Sequence, residues 1–146
     1  MQSVELFRIP GTIVVEHHPV QRAVRAGWES LSTSEFRQAI TRGLSECGRL
    51  RAKSWLVDLT KNPGVPSQAD LEWLMKDAAP LTLDSGIRAV INVHGASALA
   101  ALGASRWTKS ASQGGLVTCD CRSLADALEM AADVAEGKLR PDNAKR

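Results

Sequence analysis

The side chains able to do chemistry gather at the ends of apolar runs. In "SWLVDLTKNPGVPSQADLEWL", residues 54–74, Asp58 closes a short apolar run, and Thr60, Asn62 and Ser67 follow in a Pro/Gly loop. A carboxylate so placed can take a proton, a phosphoryl group or a cation, and the carboxyl ends of strands are where open α/β sheets form ligand sites. Asp in a loop also commonly accepts backbone N–H bonds. We read Asp58 as such a loop-orienting residue at the edge of a binding site. A cation would want several oxygen ligands, and the loop adds only Asn62. Ser67, with Asp70 three residues on, reads as a helix N-cap. A phosphate on Ser67 would meet the positive end of that helix.

His94 ends another run, "IRAVINVH" (87–94), beside Gly95. Across neighbouring strands it could join Asp58 as an acid–base pair, which is the alternative, enzymatic reading. His17 and His18 are adjacent on a strand, point to opposite faces and cannot chelate one metal together. Cys119 and Cys121 face one side of a strand, but no second paired cluster completes a zinc site, so they read as small buried hydrophobes. The phosphate-loop pattern GxxxxGK[ST] and the nucleophile elbow GxSxG have no match. The expectation is no metal, no cofactor and no assigned catalytic residue. Trp28 ends a strand, and Trp73 lies about 200° around its helix from Leu71, opposite a Leu71–Leu74–Met75–Ala78 stripe. An off-stripe indole can cover a second layer, join a subunit interface or wall a pocket. Both tryptophans therefore join the candidate binding residues.

The elements that must position these groups follow from periodicity. Residues 3–9 and 12–17, with 21–29, read as two or three antiparallel strands broken by Pro10-Gly11 and Pro19. "STSEFRQAITRGLSECGRL" then places Phe36, Ile40, Gly43, Leu44 and Cys47 on one helical face, with Ser32 and Glu35 as a capping box. A strand is expected at 54–60, a second helix from Ser67 weakened by Pro80, a strand at 87–94, a short Ala-rich helix at 97–107 ending at Trp107, and a strand at 115–121. Ser123 and Asp126 open a last helix. This β-α-β order predicts a single-domain α/β fold over residues 1–136, with a mixed, mostly parallel sheet. Residues 137–146 lack periodicity and read as a flexible tail.

The bulk numbers fit that reading. The chain has 146 residues, 44% of them hydrophobic and 23% charged, with a net charge of +2. That length suits one domain, and the balance gives no strong electrostatic pull toward nucleic acid or membrane. Arg37, Arg42, Arg49, Arg51 and Lys53 cluster in or beside one helix, where Glu46 between Arg42 and Arg49 suggests an ion-pair ladder. Glu5 and Arg8 interrupt any signal-peptide core, and no run approaches the roughly 20 apolar residues of a membrane span. Three cysteines suit no disulfide framework, so a cytoplasmic location with reduced thiols is expected.

The stretches "RAGWESLSTSEFRQAI", "SWLVDLTKNPGVPSQADLEWL", "GIRAVINV" and "SLADAL" resemble the bacterial STAS/SEC14-like group, relatives of the anti-sigma-factor antagonist fold. The resemblance spans residues 12 to about 135. It implies a four- or five-stranded mixed sheet with helices mainly on one side. It also implies a non-enzymatic regulatory or binding module, able to form a homodimer, that captures a protein partner or small molecule near the loop after Asp58. The antagonist branch carries a phosphorylatable serine in an Asp-Ser-Ser-Gly type loop. Here that place reads "DLTKNPGVPSQAD", where Thr60 and Ser67 are the nearest hydroxyls.

Overall fold

The structure, a computed structural model, describes residues 3–95 and 116–138. The expected opening meander is present as β1 (Val4–Ile9), β2 (Ile13–His18) and β3 (Ala23–Trp28). Gly11 (φ +75°) makes the first turn. Arg22 (φ +52°) makes the second, its N–H donating to the Pro19 carbonyl at 3.1 Å. The chain then alternates helix and strand: α1 (Phe36–Leu50), β4 (Ser54–Asp58), α2 (Gln68–Trp73), a π-helical turn (Leu74–Ala78), α3 (Ala79–Asp84) and β5 (Ala89–Val93). β6 (Val117–Cys121) and α4 (Leu124–Ala135) complete the described fold.

All six strands form one sheet in chain order. The β1–β2 and β2–β3 pairs are antiparallel, and the three remaining pairs are parallel. The α/β expectation therefore holds, with six strands where the resemblance implied four or five. Helices occupy both faces. Phe36, Ile40 and Leu44 of α1, with Leu71, Leu74 and Ala78, pack on the face carrying Ile13, Val15, Val24, Trp55, Val57 and Val90. α4 packs Ala127, Met130, Ala131 and Val134 on the opposite face, against Leu56, Ala89, Ile91, Val93, Cys119 and Cys121. Strands β4 and β5 are thus buried on both sides along their whole length, which is why they read as unbroken apolar runs.

Helix starts agree with the sequence in two cases out of three. Ser67 and Ser123 accept the N–H of Asp70 and Asp126, each at 3.1 Å. Ser32 does not cap α1, which begins at Phe36 after Glu35 without a side-chain cap. The Ser32 N–H instead donates to the Ser30 hydroxyl, and the Phe36 N–H donates to the Thr33 carbonyl. A local Ser–Ser turn has taken the capping hydroxyl out of reach of the helix. The π-helical turn ends two residues before Pro80, whose ring would collide with the Lys76 carbonyl of a regular helix. Met75, expected on the buried stripe, stands 36% exposed at its margin. The ladder expected along α1 is realised only as Arg49–Glu46. Arg42 stacks over the Phe7 ring at 4.1 Å, and Arg37 reaches across to Asp70 at 2.8 Å. No described helix is long and apolar enough to cross a membrane. The Ala-rich stretch with Trp107, and residues 139–146, lie outside the described residues.

Candidate functional site

Asp58 ends β4 opposite Gly27 of β3, and Arg25, two residues before Gly27, stands opposite Glu16 of β2. The three charged groups lie on the sheet face that α1 to α3 leave uncovered, since the alternate residues Val15, Val24, Ala26 and Val57 fill the core beneath those helices. Arg25 spans diagonally to Asp58. Its Nε donates to Asp58 Oδ2 at 2.8 Å, and a terminal nitrogen lies 2.6 Å from the same oxygen. The other terminal nitrogen donates to Glu16 Oε1 at 2.5 Å.

Gly27 makes this diagonal possible. A Cβ there would fall 2.9–3.1 Å from the guanidinium, so the glycine lets Arg25 lie close over β3, where a side chain would push the guanidinium aside.

The second Asp58 oxygen faces the loop. Oδ1 accepts the Thr60 backbone N–H at 2.9 Å and the Thr60 hydroxyl at 2.6 Å. The side chain is 4% exposed, and its two oxygens take four contacts from Arg25 and Thr60, the full capacity of a carboxylate. Burial alone would raise the Asp58 carboxyl, but the Thr60 hydrogen bonds and then Arg25 overcome it and hold it below the ordinary carboxylate value. Burial likewise works against the Arg25 charge, yet Asp58 and then Glu16 hold it more firmly protonated than usual. Asp58 is thus spent on orienting its loop, as a turn aspartate would be.

The loop itself is tied at several points. Asn62 takes the left-handed conformation (φ +54°), which Asn tolerates well, and its N–H donates to the Leu59 carbonyl at 3.1 Å. The Pro63 carbonyl accepts the Leu31 N–H, which joins this loop to the segment after β3. The Leu59 N–H donates to the Val93 carbonyl at 2.8 Å. A Cβ on Gly95 would lie 2.7 Å from both the Leu59 carbonyl oxygen and Asn62 Oδ1. The turn after β5 therefore rests directly on the loop after β4.

His94 has a different partner from the one expected. Its Nε2 lies 2.5 Å from Asp120 Oδ1, and Asn92, directly opposite Asp120, donates to the same oxygen at 3.3 Å. Among the described residues no bond joins His94 to Asp58, so the sheet edge holds two separate clusters. Ser67 stands apart as the cap of α2. Trp73 packs edge-on to Phe36 at 6.4 Å, beside the Arg37 guanidinium, and Trp28, 2% exposed, stacks on Phe36 at 5.3 Å. Both indoles join α1 to its neighbours. Cys47, Cys119 and Cys121 are buried, and no disulfide joins them. Burial pushes the Cys47 thiol up to about 12 and raises Cys121 as well, so both stay neutral at physiological pH. No group of three His, Cys, Asp or Glu residues among the described ones could hold a metal ion.

Two hollows flank β3 and β4. On the helix side an apolar gap of about 40 Å³ is walled by Trp28, Phe36, Trp55, Leu74 and Pro66. A dry engineered cavity that admits benzene measures about 150 Å³, so this gap is too small for an aromatic ring. On the uncovered side an open polar pocket of about 200 Å³ lies over Arg25, Gly27 and Asp58, with Arg8, Glu16 and Lys61 around it. Of its lining only Asp58 and Trp28 were among the candidates from sequence. The signal for the others was a charged Arg25 set between Val24 and Ala26, with Gly27 two residues on; the strand register that makes it meaningful is not written in any local motif. Comparison with family models, with curated proteins and with solved structures finds no match to this chain.

Proposed function

We propose that this protein is a non-enzymatic binding module, and that its ligand is a small molecule seated in the polar pocket beside the loop after Asp58. The observation that carries this reading is the complete commitment of the Asp58 carboxylate to Arg25 and Thr60. A carboxylate so filled is poorly placed to accept a substrate proton or a metal ion. It is well placed to hold the loop rigidly against the sheet, so that Lys61 and the strand side chains present a fixed surface. The pocket is large enough for a small ligand and is open to solvent. The resemblance to the STAS/SEC14-like group points to the same kind of role, regulation by capture rather than by turnover.

Native mass spectrometry of the protein purified from its own host tests this reading and reports ligand and oligomer together. A co-purified small molecule lost on Arg25→Met, with the fold retained by circular dichroism, is the expected result. A turnover activity abolished by Asp58→Asn and by His94→Ala would overturn it in favour of an enzyme.

A further inference from the structure

We infer that the pocket is built for an oxyanion, a ligand bearing a phosphate or carboxylate group, gripped by Arg25, Lys61 and Arg8; this rests on the binding-module reading above. Five of the residues around the pocket are charged: Arg8, Arg25 and Lys61 against Glu16 and Asp58. Both carboxylates are already engaged by Arg25, one on each side of its guanidinium. A cation entering here would meet three positive groups and an Asp58 with no acceptor capacity left, with only Glu16 able to accept further.

The donors are in the opposite condition. A guanidinium carries five N–H groups in one plane. Asp58 and Glu16 account for three of them, which leaves one on each terminal nitrogen. Because Gly27 has no side chain, these terminal nitrogens lie over the strand at the floor of the pocket. Two N–H groups at the end of a guanidinium match the spacing of two oxygens on a phosphate or carboxylate. Lys61 has no ion pair among the described residues and is exposed. It follows the Asp58-bound Thr60 directly, so the loop that Asp58 fixes also fixes the start of the Lys61 side chain. Arg8 leans on Glu5 through one terminal nitrogen at 2.9 Å, and keeps further donors for the opposite rim. One half-buried guanidinium, held between two carboxylates and flanked by two exposed cations, is a small-anion cradle, with orientation supplied by the floor and attraction by the rim.

The test is a titration of backbone amide chemical shifts in the full chain with inorganic phosphate, with acetate in parallel and sodium chloride at matched ionic strength as control. Saturable shifts centred on Gly27 and Lys61 are expected with phosphate, acetate or both, and the stronger arm identifies the oxyanion. Lys61→Gln and Arg8→Gln touch none of the buried bonds, and each should weaken binding three- to tenfold with the remaining spectrum unchanged. Shifts that grow linearly and fall equally on remote lysines such as Lys76 would overturn the oxyanion assignment. Neutral and cationic fragments then separate the ligand class from the existence of the pocket. Saturable shifts at Gly27 and Lys61 with acetamide or methylammonium would keep the binding pocket and replace its ligand class. Silence at those amides under every probe would remove the pocket reading itself.

Discussion

Strands β4 and β5 are covered by helices on both faces, whereas β1 to β3 are covered chiefly on one. The difference is visible in what holds each half. In the doubly covered half, β4 and β5 are buried at every position, and apolar contact does the work on either side. In the singly covered half the uncovered face carries Glu16, Arg25 and, at the seam, Asp58. There cohesion across the strands comes from a guanidinium stretched between two carboxylates. The same half carries the open pocket. Where the sheet needs no second layer of helices, it has surface available for a ligand.

That contrast can be broken from either side. Trp55→Ala should be the most damaging change, at about 3–5 kcal/mol, because the ring is 2% exposed and lies close over Gly43 of α1. A urea midpoint little altered from that of the parent protein would show that the layer of α1 on β4 is dispensable. Asp58→Asn should cost about 3 kcal/mol, the scale for stranding one member of a buried ion pair, and should act chiefly on the β3–β4 seam. Its acid behaviour sharpens the point. The folded Asp58 carboxyl lies below its unfolded value of about 3.9. Its contribution is therefore complete above that value and is lost as pH falls through the folded pKa. Acid titration of stability should show this loss in the parent protein and a shallower decline in Asp58→Asn; identical slopes would deny the ion pair its role.

Smaller effects discriminate between helix starts. Ser123→Ala removes a working cap from α4 and should cost about 1 kcal/mol, whereas Ser32→Ala, away from the α1 terminus, should change the thermal midpoint hardly at all. Equal losses would mean that the Ser30–Ser32 turn supports α1 as much as a true cap does. Smallest of all, Arg42→Gln removes a cation–π contact on the rim and should cost about 0.5 kcal/mol in a chemical denaturation series.

The same division explains what could be read in advance. The apolar runs "SWLVD" and "AVINV" reveal β4 and β5 because burial on both faces leaves little room for polar residues, and Ser67 and Ser123 announce α2 and α4 because their partners are three residues away. Asp58 was legible for the same reason: Thr60, which takes one of its oxygens, is two residues on. Arg25 was not, because its partner Asp58 is 33 residues further along the chain, and only the strand register places them together. His94 shows the converse. It was correctly set at a strand end, but β6, rather than β4, supplies its acid, and strand-end position alone does not say which neighbour a side chain turns toward.

The contact of Gly95 with Leu59 and Asn62 has a kinetic consequence. With no room for even a methyl group between the loop after β4 and the turn after β5, the two are in direct contact, and lifting either away breaks that contact. The Leu59 to Val93 bond runs through the same junction. The amides of Leu59 and Asn62 should therefore exchange with solvent through one shared opening event, with a common rate and a common dependence on denaturant. The loop that walls the pocket then behaves as part of the sheet's own cooperative unit, and a ligand held against it would slow that opening for both segments at once.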